Sequence, residues 1–163
     1  MRVREDRIKR LFRKDDGLAV NIPIDHGIGG VRKGLERPVE TLEKLIKCGI
    51  DGTLLQFGMV KLTDHLFKDV NSPSRMLTLD YRQYWNIPGR KDGIFGCFLS
   101  SSVEQAVKYD CDAVKVAMPY GLDYKLTEDH IKMICEVVRE GDKCDMPVVV
   151  EPMPMGIDIP QEL

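Results

Sequence analysis

At 163 residues the chain has the length of one domain and is short for two. Hydrophobic residues at 43% and charged residues at 31% supply both a core and a wetted surface, which excludes disorder as the main state. A formal net charge of −2 gives no bulk drive toward nucleic acid or membranes, and no apolar run approaches the roughly 20 residues of a membrane helix. The N-terminal stretch MRVREDRIKRLFRKDD carries charge but no apolar segment of the kind a signal peptide needs. The five cysteines, at 48, 97, 111, 135 and 144, form no C-x-x-C pair. Reduced, mostly buried thiols in a cytoplasmic protein with neither metal nor cofactor are therefore expected.

The first 14 residues carry a charge of +5 and the remainder −7. Ile8, Leu11 and Phe12 follow an i, i+3, i+4 spacing, which predicts a short amphipathic helix with a solvated basic face. LAVNIPID (18–25) predicts the first strand, with Leu18, Val20, Ile22 and Ile24 on one side and Ala19, Asn21, Pro23 and Asp25 on the other. One greasy side and one small or polar side suit a barrel strand. A glycine-rich loop follows at 26–30. Residues 38–49 predict a helix opened by Pro38 and stopped by Gly49. Strands are expected at 52–58 and 75–81, with a helix at 60–69 between them. Residues 82–93 read as loop and 94–101 as an extended segment. A helix capped by Ser102 spans 102–110. A strand at 113–119, a helix at 126–141 capped by Thr127 and a last strand at 146–154 complete the chain. In that last helix Ile131, Ile134, Cys135 and Val138 mark the expected apolar face.

Apolar strands alternating with helices predict βαβ units and a parallel sheet. In such folds ligands bind beyond the carboxyl ends of the strands. Asp25 and His26 end the first strand, Gln56 the second and Asp80 the third. Lys115 lies on the fourth strand, which ends near Tyr120, and Glu151 lies on the fifth. Asp25, His26, Tyr120 and Lys115 are the candidate catalytic residues; Gln56, Asp80 and Glu151 are the candidate substrate contacts. Each has a plainer reading. Asp25 suits a turn, and Tyr120 a packed ring. Lys115 either faces inward, buried as a Schiff-base lysine must be, or faces out and runs past the helices. Glu151, between Val148-Val149-Val150 and Pro152, needs a partner, for which Lys115 is the candidate. His65 and His130 read as surface residues on helices. No G-x-G-x-x-G, P-loop or H-E-x-x-H pattern occurs.

NIPIDHGIGGVRKGLERP resembles the opening of the DeoC/LacD-type class I aldolase barrels. The resemblance is nearest to the branch holding archaeal-type fructose-bisphosphate aldolase and the autoinducer-2 phosphate thiolase. CDAVKVAMPYG and MPVVVEPMPMG resemble strands four and five of that family, in the right order. The resemblance implies a TIM (β/α)8 barrel of which residues 1–163 are a single domain, the N-terminal part. It also implies a homo-oligomer and lysine-dependent carbon–carbon chemistry on small, phosphorylated sugar or keto substrates. It assigns Asp25 to proton transfer and His26 to a role in the thiolase relative. Two departures stand out. The family's Schiff-base lysine lies on strand six, whereas this chain reaches Leu163 just after strand five. The family's frequent Pro-Arg-Gly after strand five is Pro154-Met155-Gly156 here. The expected alternatives are a fragment, a half-barrel that pairs with another chain, and a non-catalytic relative that only assembles or binds a metabolite.

Overall fold

The computed structural model describes residues 3–82, 97–121 and 124–154. Of the predicted loop at 82–93, Arg82 ends a strand, while residues 83–93, the start of the extended segment and Met155-Gly156 lie outside the described residues. The main element is a five-stranded parallel sheet in the order β1(Asn21–Pro23), β2(Gly52–Leu55), β3(Ser74–Thr78), β6(Ala113–Tyr120), β7(Val148–Pro154). Among the described residues five α-helices accompany it: α1(Arg4–Arg10), α2(Pro38–Lys47), α3(Phe57–Leu62), α4(Val103–Lys108) and α5(Tyr124–Lys143). A small antiparallel pair, β4(Asp80–Arg82) with β5(Cys97–Leu99), is added beyond β3. The sequence pattern did not predict this pair. Alternation shows only which sides of a strand are apolar, whereas pairing depends on what a later segment brings alongside.

The two sides of the sheet differ. Leu55, Leu77, Val114 and Val116 pack with Leu42 of α2, Val60 of α3, Val103 and Ala106 of α4, and Val137 of α5. The opposite side holds Met76 and Ala113 with Leu54 and Val149, and Leu11, just after α1, covers them. Helices α2 to α5 thus share one face, as in a singly wound barrel wall; a doubly wound sheet would divide them between two. The other face is the barrel interior, with α1 closing its amino-terminal end.

Local signals set several boundaries. Ser102 caps α4 in a capping box with Gln105, worth about 1 kcal/mol. Gly49 ends the α2 region at φ +81°. Gly141 lies inside α5, where glycine costs about 1 kcal/mol relative to alanine. A Cβ there would stand 2.8 Å from both the Met146 carbonyl oxygen and Val148, so glycine is what lets α5 approach the start of β7.

Other expectations are corrected. Helix α5 begins at Tyr124, which puts Thr127 inside it and not at its cap. Its buried stripe is His130, Met133, Val137 and Gly141, one residue away from the predicted face; Ile131, Cys135 and Val138 are exposed. His130 is buried, its Nδ1 donating to the Leu126 carbonyl at 2.7 Å. On α1 the buried residues are Arg7 and, just beyond, Leu11, whereas Ile8 and Phe12 are exposed. Arg7 fits because its guanidinium donates to the Cys111 carbonyl and faces Asp110 at 3.7 Å. Of the four cysteines at 48, 111, 135 and 144, only Cys111 is buried, and burial pushes its thiol up to about 12.

Strands β1 and β7 are the sheet's edges. Exposed Leu18 and Val20 precede β1, and Val150 of β7 is exposed, as are Ile131 and Val138 on α5. Open parallel edges flanked by apolar side chains invite pairing with another chain. The 163-residue chain is therefore expected to self-associate at about 10–100 μM. Sedimentation equilibrium checks this, and a concentration-independent 18.5 kDa species would contradict it.

A second expectation concerns acid. Burial acts to raise the Asp64 carboxyl, but hydrogen bonds from Lys68 and Arg75 outweigh it and hold the group below its usual range. Arg75 meets Asp64 at 2.9 Å and lies 5.0 Å over the Phe67 ring. A carboxyl depressed in the folded state stabilises the fold above its unfolded value of about 3.9, and that contribution disappears as pH falls through the folded value. Urea unfolding of Asp64→Asn should show a smaller loss of stability below about pH 4 than the parent chain. Equal losses would show that this pair does not respond to acid.

Candidate active site

Because the main strands are parallel, their carboxyl ends lie together. Asp25 opens a 3-10 turn, Asp25–Gly29, immediately beyond β1. Thr78 is the last residue of β3 and is directly opposite Lys115 on β6, which in turn is opposite Val149 on β7. The period of two places Thr78 with Met76, Lys115 with Ala113, and Glu151 with Val149. All three therefore point to the barrel interior. Lys115 faces inward, which resolves the alternative left open by the sequence. The pattern A-V-K-V-A carries the signal: alanines flank Lys115 on its own side and valines take the helix side.

These side chains meet. Thr78 Oγ1 donates to Asp25 Oδ2 at 2.6 Å. Lys115 Nζ is 3.5 Å from the same oxygen and ion-pairs with Glu151 Oε2. The other Asp25 oxygen, Oδ1, lies 3.8 Å from His26 Nδ1. Lys115 retains 2% side-chain exposure and Asp25 10%, while Glu151 at 46% reaches solvent. Two carboxylates thus share the Lys115 ammonium. Such a buried arrangement persists because each charge is paired and the aspartate has a further donor in Thr78.

The remaining candidates are placed differently. Gln56 follows β2 as the residue before α3 and is half-buried, its Nε2 without a hydrogen-bond partner among the described residues. Asp80 is fully buried at the head of β4. Tyr120 ends β6 at 47% exposure, on the parity of Val114 and Val116 and opposite to that of Lys115. His26 is exposed beside Asp25. Sequence reasoning missed Thr78. A threonine in a strand reads as a strand former, and Asp80, two residues later, carries the stronger polar signal.

No group of three or more His, Cys, Asp and Glu side chains among the described residues is arranged to hold a metal ion. No helix among them is long and apolar enough to cross a membrane. What the cluster offers is a desolvated carboxylate, an ammonium and a second carboxylate open to solvent, at the site where a barrel wall binds ligands.

A family model of the DeoC/LacD aldolases matches residues 19–163. The chain belongs to the DeoC/LacD aldolase family. An uncharacterized aldolase of Saccharolobus solfataricus is 28% identical over 163 residues, covering 98% of this chain and 58% of that protein. Among solved structures, an archaeal fructose-1,6-bisphosphate aldolase with its catalytic lysine bound to the carbinolamine intermediate matches with a TM-score of 0.72 at 22% identity. The match covers 98% of this chain and 61% of that one. The protein Cgl0159 of Corynebacterium glutamicum matches with a TM-score of 0.62 at 17% identity, over 95% of this chain and 56% of that one. This DeoC/LacD chain therefore spans about three fifths of the length of these relatives. The structural matches establish the fold, a partial TIM barrel containing about the first five β/α units.

Proposed function

We propose that this chain forms the N-terminal part of a class I, Schiff-base aldolase-type barrel acting on carbon–carbon bonds of small, phosphorylated sugar or keto substrates. The reading includes a cytoplasmic homo-oligomer, supported by the open sheet edges and by the free thiols of Cys48, Cys111, Cys135 and Cys144. The observation that carries it is the Asp25–Thr78–Lys115–Glu151 cluster on the interior face of the sheet. In the chemistry proposed, an amine adds to the substrate ketone, water leaves and an iminium forms. The carbon–carbon bond then breaks with its electron pair drawn into the iminium, while a base takes the hydroxyl proton of the departing aldehyde. Asp25 is the proposed base. Thr78 and Lys115 occupy its Oδ2, so the proton goes to Oδ1, on the His26 side. In this reading Lys115 and Glu151 hold the charge balance around Asp25, and the amine is the family's strand-six lysine.

The inward orientation of Lys115 favours a second reading, in which Lys115 is itself the amine. Its ammonium would first have to pass a proton to Asp25 or Glu151, since an ion-paired ammonium has no lone pair with which to attack. Dihydroxyacetone phosphate with borohydride separates the two. The first reading expects reversible binding, seen as shifts of the Asp25 and His26 amides by NMR, and no covalent adduct. A reduced adduct mapped to Lys115 and lost in Lys115→Met would place the amine on this chain. Failure to bind at all would leave a non-catalytic half-barrel.

A further inference from the structure

We propose that Arg10 and Arg13 are positioning residues for the Asp25–Thr78–Lys115 cluster. They act from the amino-terminal end of the sheet, by holding two aspartates, Asp112 and Asp51, that fix strand register. The inference rests on reading that cluster as the reacting end.

The same pair of hydrogen bonds occurs twice, each time from an aspartate just ahead of a strand. Asp51 precedes β2; its N–H donates to the Val20 carbonyl at 3.0 Å, and its Oδ2 accepts from the Val20 N–H at 2.6 Å. Asp112 precedes β6; its N–H donates to the Arg75 carbonyl at 2.9 Å, and its Oδ2 accepts from the Arg75 N–H at 3.1 Å. The first pair ties the start of β1 to β2, the second ties β3 to β6. Arginines three residues apart reach the two carboxylates. Arg10 Nε donates to Asp112 Oδ1 at 2.7 Å, and Arg13 Nη1 to Asp51 Oδ2 at 3.3 Å. Asp112 is 2% exposed and Asp51 15%, so these charge-assisted bonds are largely shielded from water. Arg10 also donates to the Val70 and Ser72 carbonyls, in the segment entering β3.

The site needs a register that these short ladders define weakly. β1 has three residues, ends in Pro23 and stands at the edge of the sheet. β3 meets β6 through three residue pairs, the last being Thr78 with Lys115. A slip of one residue turns every side chain of the slipped strand to the other face and moves it by about 3.3 Å. The 2.6 Å bond from Thr78 to Asp25 tolerates neither. Arg10 and Arg13 thus act on the cluster through Asp112 and Asp51, with no contact of their own to it. Arg4 is bound to exposed Asp142, outside both hydrogen-bond pairs, and so provides a control.

NMR of the 15N-labelled chain tests this without turnover. Arg13→Met should speed deuterium exchange of the Val20 amide about tenfold, and Arg10→Met should do the same to the Arg75 amide. Both should shift the 15N signal of the Lys115 ammonium, Arg13→Met through Asp25 and Arg10→Met through Thr78. Arg4→Met should leave that signal in place. So should Val60→Ala, which lowers stability by emptying buried volume on α3. Should a methionine variant fail to fold, Arg10→Gln and Arg13→Gln, which keep an uncharged donor, are read in the same way. An unmoved Lys115 signal in the Arg10 and Arg13 variants, parent-like exchange at Val20 and Arg75, or an equal shift in Val60→Ala would each overturn the proposal. Failure of dihydroxyacetone phosphate to move the Asp25 and His26 amides, with these effects present, would instead overturn the reading of the reacting end.

Discussion

The 163-residue chain, assayed alone with fructose 1,6-bisphosphate, is expected to release no measurable triose phosphate. The resembled family carries its Schiff-base amine on strand six, and the sheet described here contains strands one to five. Removing a covalent nucleophile costs on the order of 10⁴- to 10⁶-fold in rate, because the low-barrier route itself disappears and only binding and electrostatics remain. Asp25, however well placed, cannot substitute. A base takes the aldehyde-side proton but offers no sink for the electron pair of the breaking bond. A coupled triose phosphate assay checks the expectation. Turnover above the no-protein background that vanishes in Lys115→Met would refute it and identify Lys115 as the amine.

The second large effect concerns stability. Lys115→Met should lower the free energy of unfolding by about 3 kcal/mol, the lower end of the 3–5 kcal/mol for breaking a buried ion pair. The methionine fills the volume of the lysine stem, so the loss is mainly electrostatic. Among the described residues Asp25, at 10% exposure, keeps Thr78 as its close donor, while Glu151 is open enough for water to replace the ammonium. Asp25→Asn should cost less, about 1 kcal/mol, because Lys115 retains Glu151. In the double variant the two losses should fall short of additive, since the orphaned carboxylate is gone. Urea unfolding of the three variants measures this, and a neutral Lys115→Met would show that the aspartate does not depend on the lysine.

Much of the architecture was legible because it depends on near neighbours in the chain. Pro38 and Gly49 bound one helix, and Ser102 with Gln105 starts another, through groups three or fewer residues from the backbone they satisfy. The alternation through Ile22 and Ile24 correctly separated the helix side of β1 from the interior side. Helix α3, predicted from residue 60, begins at Phe57 directly after Gln56. The apolar run LLQFGMV suits a strand or a buried helix equally, so periodicity could not place that boundary.

Faces and meetings between distant residues were a different matter. Helix α5 has more apolar positions than one contact stripe uses, and packing selected Met133 and Val137 over Ile131 and Val138. Composition cannot rank two adjacent stripes; the sheet against which the helix lies does. Arg7 is buried because the Cys111 carbonyl, 104 residues away in sequence, accepts from it. The same holds at the candidate site. The sequence by itself determined that Asp25, Gln56 and Glu151 stand near the carboxyl ends of parallel strands, since the order of strands and helices dictates that geometry. Only the tertiary structure decided that Lys115 turns inward and that Thr78, 53 residues from Asp25, holds its carboxylate. Strand order is encoded in local patterns, whereas a hydrogen bond across the sheet exists only once the register between strands is set.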